Sequence, residues 1–68
     1  MNNLLKLTDA HKDIPIIIGA SSIIDAKRVL LPNKDIYATK IESRGAMVTT
    51  NWVIETIDEI LNQYNQHD

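Results

Sequence analysis

The stretch Ile36-Tyr37-Ala38-Thr39-Lys40-Ile41-Glu42-Ser43-Arg44-Gly45-Ala46-Met47-Val48-Thr49-Thr50-Asn51-Trp52-Val53 decides how this chain is built. Two runs rich in β-branched and aromatic residues flank Arg44-Gly45, the pattern of a β-hairpin whose tight turn takes a positive φ at glycine. A two-residue loop sets Ile41 opposite Val48, Thr39 opposite Thr50 and Tyr37 opposite Trp52 on one face. It sets Lys40 opposite Thr49, Glu42 opposite Met47 and Ala38 opposite Asn51 on the other. The first face is apolar and hydroxylated and the second mostly polar, as one buried sheet face requires.

Working back from the hairpin, Pro32-Asn33-Lys34-Asp35 reads as a turn, because proline presets φ and Asn or Asp closes it locally. A strand is expected over Ile23 to Leu31, with Ile23, Asp25, Lys27 and Val29 sharing a side. Gly19-Ala20-Ser21-Ser22 breaks the chain before it, with hydroxyls satisfying backbone groups. Ile14 to Ile18 is a strongly β-branched strand. Pro15 cannot donate to a ladder, so that strand belongs at an edge. Leu4, Leu5 and Leu7 mark a first strand. Working forward, Thr56-Ile57-Asp58-Glu59 is a capping box. Ile57, Ile60, Leu61 and Tyr64 follow as an apolar stripe, with Asn62, Gln63, Asn65 and Gln66 toward water. The terminal His67 and Asp68 are expected to fray.

The fold class is therefore α+β: a small twisted antiparallel sheet or open barrel of four to five strands, with one C-terminal helix. It forms a single domain over 1–68, with strands within 3–53 and the helix over about 56–66.

The whole is 68 residues, 44% apolar, without cysteine, and eleven residues are Ile. A domain this small buries only about 60% of its unfolded surface, and no disulfide or thiolate metal site reinforces it. Ile14 to Ile18 is apolar on both faces, so a homo-oligomer is expected, with Ile14, Ile16, Ile17, Ile18 and Tyr64 at the interface. No apolar run approaches the roughly 20 residues of a membrane span. The start Met1-Asn2-Asn3-Leu4 lacks the basic and apolar regions of an export signal, so the cytoplasm is the expected location. The net charge of −2 argues against general nucleic-acid binding. All seven Lys and Arg precede Glu55, and Glu55, Asp58, Glu59 and Asp68 close the chain without a base. That acidic end on a basic body reads as a solvated helix face or an electrostatic partner for the body.

Catalytic constellations are missing. His11 and His67 stand far apart without metal-ligand spacing, Ser21-Ser22 lacks the GxSxG frame, and two glycines make no phosphate loop. No enzyme, metal or cofactor is expected. Binding is the better class. Arg44 sits at a hairpin tip, Lys40 lies beside Thr49, and Lys27-Arg28 is a basic pair whose side chains point to opposite faces. A guanidinium beside hydroxyls recognises anions well. Trp52 either stacks on a ligand or packs in the core with Tyr37 and the helix. The candidate ligand residues are Arg28, Lys40, Arg44, Thr49 and Trp52, and the expected ligand is an anionic, nucleotide-like small molecule held between subunits.

Five segments occur in a familiar order: Leu5-Lys6-Leu7-Thr8, Pro15-Ile16-Ile17-Ile18, Ser22-Ile23-Ile24, Thr39-Lys40-Ile41 with Gly45, and Val53-Ile54-Glu55-Thr56-Ile57-Asp58-Glu59-Ile60. Together they resemble the FlbD-like (SwrD) small proteins, with Gly19 or Ala20 where members usually have Asn, and Thr56 where they have Ser. The resemblance implies a compact β-rich domain with a C-terminal helix and no catalytic residues. It implies one of two roles. One is a flagellar or motility accessory acting through protein contacts. The other, for similar phage-borne domains, is a small oligomeric inhibitor of a host system. With the basic body and the expected oligomer, a protein that sequesters a nucleotide-like signal of host defence is the first expectation.

Overall fold

The computed structural model describes residues 3–66. The first two residues and the expected frayed end, His67 and Asp68, lie outside them. The elements run β1 (Leu4–Thr8), β2 (Pro15–Gly19), a 3-10 turn (Ala20–Ser22), β3 (Ile23–Leu31), β4 (Ile36–Arg44), β5 (Val48–Val53) and α1 (Ile57–Tyr64). The fold is α+β, with two antiparallel sheets that do not close: β1-β2 and β3-β4-β5. Thr8 to Ala10 stitch them together. The Ile54 N–H donates to the Thr8 carbonyl (3.0 Å) and the Ala10 N–H to the Trp52 carbonyl (2.8 Å), around an Asp9–Val53 bridge.

The hairpin exists, but its turn and register differ from expectation. Arg44 pairs with Val48, so Gly45, Ala46 and Met47 form a three-residue loop, and Gly45 does not take a positive φ. The left-handed residues are Asp13 (φ 61°) and Asp35 (φ 53°), at the turns leading into β2 and β4. Aspartate is one of the few non-glycine residues enriched in that region. The longer loop sets Val53 opposite Thr39, Asn51 opposite Ile41 and Trp52 opposite Lys40. Tyr37 pairs instead with Leu30 and is 64% exposed.

The shift has a packing reason. The helix side of the sheet is filled by Leu5, Leu7, Ile18, Ile41, Val53 and Ile60, and the shift places Val53 there in place of the larger indole. Trp52 goes to the opposite face and packs with Ala10, Val29, Leu31 and Ala38. The central strand β4 is thus covered on both sides, Thr39 and Ile41 on one and Ala38 on the other. Each fully buried aliphatic side chain such as Ile41 or Val53 contributes about 1.5–3 kcal/mol.

β3 spans the expected residues, yet an irregularity between Ile23 and Asp25 changes its phase. Ile23 now shares a face with Ala26 and Arg28, not with Asp25 and Val29. The two-versus-one geometry of a bulge turns the following side chains over. The helix also sits rotated from its expected stripe. Its Thr56–Glu59 capping box is complete, but Leu61 is exposed, and Gln63 faces the protein. The Gln63 amide accepts from the Lys6 N–H and donates to the Lys6 carbonyl, both at 2.8 Å, filling in for a strand neighbour along the outer edge of β1.

One cluster ties these elements together. The Glu55 carboxylate accepts from the Thr8 N–H (2.8 Å) and the Thr8 hydroxyl (3.0 Å). The Glu55 carbonyl accepts from the hydroxyl of fully buried Thr39 (2.6 Å). Thr39 in turn accepts from Arg28 Nη1 (3.0 Å). Thr39→Val keeps the shape but leaves the Glu55 carbonyl without its strongest donor. It should cost about 1–3 kcal/mol, read as a lower urea midpoint with an unchanged slope. Glu55→Ala, which frees two Thr8 donors, should also destabilise the fold.

Candidate functional site

The register settles which candidate residues meet. Lys40 lies directly between Lys27 on β3 and Trp52 on β5, so these three form a row across the sheet. Neighbouring strands are about 4.8 Å apart. Arg44 falls on the same face, two pairs further toward the hairpin tip, opposite Val48. Glu42 stands between them, paired with Asp25 and Thr50. The face therefore runs from an acidic row to a basic row to an apolar patch of Val29, Leu31 and Ala38.

The other two candidates are elsewhere. Arg28 pairs with Thr39, and its guanidinium is committed to the Thr39 hydroxyl and, at 3.4 Å, the Glu55 carbonyl. Thr49 pairs with Ser43 on that same helix-side face. The expected Lys40–Thr49 neighbourhood is replaced by Lys40–Trp52, because the three-residue loop moves each β5 residue along and across the sheet. Lys27 joins this row although it is not among the candidate ligand residues the sequence offers. Its signal was the alternation of Lys27 and Arg28 between faces, which left one of the pair free for the sheet's open side.

His11 was also missed. Asp9 caps the turn after β1, accepting from the His11 N–H (2.8 Å) and the Lys12 N–H (2.9 Å). That turn delivers the imidazole edge-on to the Trp52 ring, with centroids 5.5 Å apart and planes at 83°. Lys34 reaches the same turn, donating through Nζ to the His11 carbonyl (3.2 Å). The two rings thus form a T-shaped pair, a geometry worth about 0.5–1.5 kcal/mol beyond burial. The Lys12 N–H, and after it the His11 N–H, hold the Asp9 carboxyl below its ordinary range.

The expected interface residues divide. Ile18 belongs to the protein's own core, and Ile16 and Tyr64 pack against it. Their burial leaves Ile14 and Ile17 as the open positions, 47% and 68% exposed. Ile17 separates from Ile16 and Ile18 because β2 alternates once it pairs with β1, while Ile14 lies before the strand.

Among the described residues no three His, Cys, Asp or Glu side chains gather as metal ligands, no enclosed pocket is formed, and no helix is long and apolar enough to cross a membrane. No family model, curated protein or solved structure matches this chain.

Two carboxylates are held below their ordinary range. The Thr56 N–H, then the Thr56 hydroxyl contact, hold Glu59 low, as the Asp9 turn holds Asp9. A lowered folded pKa gives stability that is present above the unfolded value near 4 and is lost as pH falls through the folded value. Urea midpoints should therefore fall between about pH 5 and pH 3. Glu59→Gln, which keeps an acceptor for the Thr56 N–H without a titrating charge, should flatten that dependence.

Proposed function

We propose that this chain is a non-enzymatic, homo-oligomeric binding protein whose Lys27–Lys40–Trp52 face takes an anionic, nucleotide-like ligand. The observation that carries the reading is the like-charged pair. Two ammonium groups directly opposite each other on an antiparallel sheet destabilise it, and an anion placed between them removes that cost. Trp52 beside them offers a π-face for a base, and Arg44 at the tip adds a second cation. The face is open, so the ligand lies across the strands. A cytoplasmic protein that sequesters a signalling nucleotide, as a phage inhibitor of host defence would, is the role this chemistry fits.

Calorimetry and thermal-shift measurements with a panel of linear and cyclic nucleotides test it. A ligand at about 100 times its Kd adds roughly 2.7 kcal/mol of stability. Lys40→Thr should abolish that gain while slightly raising the melting temperature of the ligand-free protein at low salt. If no nucleotide stabilises the wild type, the reading is wrong.

A second reading has its own observation. Leu30 and Tyr37 pair with each other and are both exposed at the far end of the sheet, an apolar surface of the kind that marks protein contacts. It supports a FlbD-like motility accessory or adaptor role. Tyr37→Glu should then abolish function in the cell while leaving nucleotide binding unchanged.

A further inference from the structure

Sheet edges invite pairing, and most of those here are blunted. The outer edge of β1 is closed by Gln63 and Glu55. β5 is covered near Trp52 by Thr8 to Ala10. β3 carries Asp25, Lys27 and Arg28 and an irregular start. Among the described residues β2 pairs with β1 alone, and it carries no charge.

The groups β2 presents outward follow from its register. Lys6 pairs with Ile17, yet the Lys6 N–H and carbonyl both bond to Gln63, away from β2. Lys6 and Ile17 are therefore a non-hydrogen-bonded pair, and the Ile17 N–H and carbonyl point away from β1. The same alternation turns the Pro15 carbonyl and the Gly19 N–H outward. The Asp9 N–H bond to the Ile14 carbonyl (2.8 Å) agrees with this phase.

We propose that β2 pairs antiparallel with β2 of a second copy, about a two-fold axis through Ile17. This rests on the homo-oligomeric part of the proposed function and gives it an interface. At the centre the two Ile17 residues exchange both backbone hydrogen bonds. One step out, Gly19 faces the partner copy's Pro15. The Gly19 N–H donates to that proline carbonyl. The return bond is not needed: proline has no N–H, and the Gly19 carbonyl already accepts from the Ser22 hydroxyl at 2.7 Å. The same pairing repeats on the other side of the axis. The one register that centres on Ile17 thus leaves no donor or acceptor of this edge unmatched. It also joins β1-β2 of each copy into a continuous four-stranded sheet, with the two exposed Ile17 side chains adjacent and Lys6 flanking them on each side.

Proline at position 19 is a clean disruptor. Gly19 already has φ −70°, ψ 125°, which proline adopts without strain. A Cβ there meets nothing closer than the Ser22 hydroxyl at 3.7 Å. Gly19→Pro removes only the outward donor. Sedimentation should show a wild-type dimer and at least about tenfold weaker association for Gly19→Pro, with unchanged circular dichroism. The chain has no cysteine, so single cysteines report the register directly. The Cα atoms of a hydrogen-bonded pair lie about 5.5 Å apart, within disulfide reach. Ile17→Cys should cross-link rapidly under mild oxidation. Ile14→Cys, whose copies sit about six residues apart along the strands, should not. A wild type that stays monomeric overturns the interface and the homo-oligomeric reading together. A dimer in which Ile17→Cys fails to cross-link, or Ile14→Cys cross-links as fast, overturns this register alone. Nucleotide binding by a monomer overturns the interface but leaves the ligand face standing.

Discussion

Glu55 is the point on which the two sheets and the helix depend. Its carboxylate holds the end of β1 through Thr8, and its carbonyl holds the middle of β4 through Thr39. Both ends of one residue are used, so the chain cannot leave β5 and enter α1 without fixing β1 against the three-stranded sheet. A part-buried carboxylate with two good donors, one of them a backbone N–H, contributes more than a solvated ion pair does. Arg28 completes the cluster from β3. Its guanidinium serves the fold, on the face opposite Lys27 and Lys40.

The second constraint is the double burial of β4. A three-stranded sheet in a chain of 68 residues has too little material for two full layers. The protein covers one face with α1 and β1-β2, and part of the other with the Ala10 turn against Trp52. The uncovered remainder of that second face holds Lys27, Lys40 and Arg44, with Asp25 and Glu42 between them. The turn that covers the indole is itself fixed by Asp9, which caps it through the His11 and Lys12 N–H groups.

Much of this was legible in the residues. The capping box at Thr56 and Glu59, the bounds of β3, the edge character announced by Pro15 and the single C-terminal helix all follow from local chemistry. The hairpin register did not. Arg44-Gly45 reads as a tight turn, but loop length was settled by what the core could hold, and Val53 fits beside Ile41 where Trp52 does not. The irregularity after Ile23 is invisible for the same reason: it answers to partner strands, and both Ile23 and Ile24 are acceptable in a strand. Gln63 looked like a solvated residue because its role is to stand in for a missing strand next to Lys6, a need that exists only once β1 lies at the edge.

The isoleucines divide between core and surface. Ile16, Ile18, Ile23, Ile41 and Ile60 build the core or pack on it, whereas Ile14, Ile17, Ile24, Ile36 and Ile54 are exposed. Ile17 is the most exposed of them within β2, on an edge that, among the described residues, no charge, helix or side-chain amide closes. Edges of this kind are normally defended by lysine, proline or a bulge, and the protein uses such means elsewhere. Here proline is present too, at Pro15, but it sits where its missing N–H meets a carbonyl already satisfied by Ser22. A defensive proline would break pairing; this one removes the single donor that pairing would have left without an acceptor. The same residue that marks β2 as an edge strand therefore also marks the register in which a second copy can extend it.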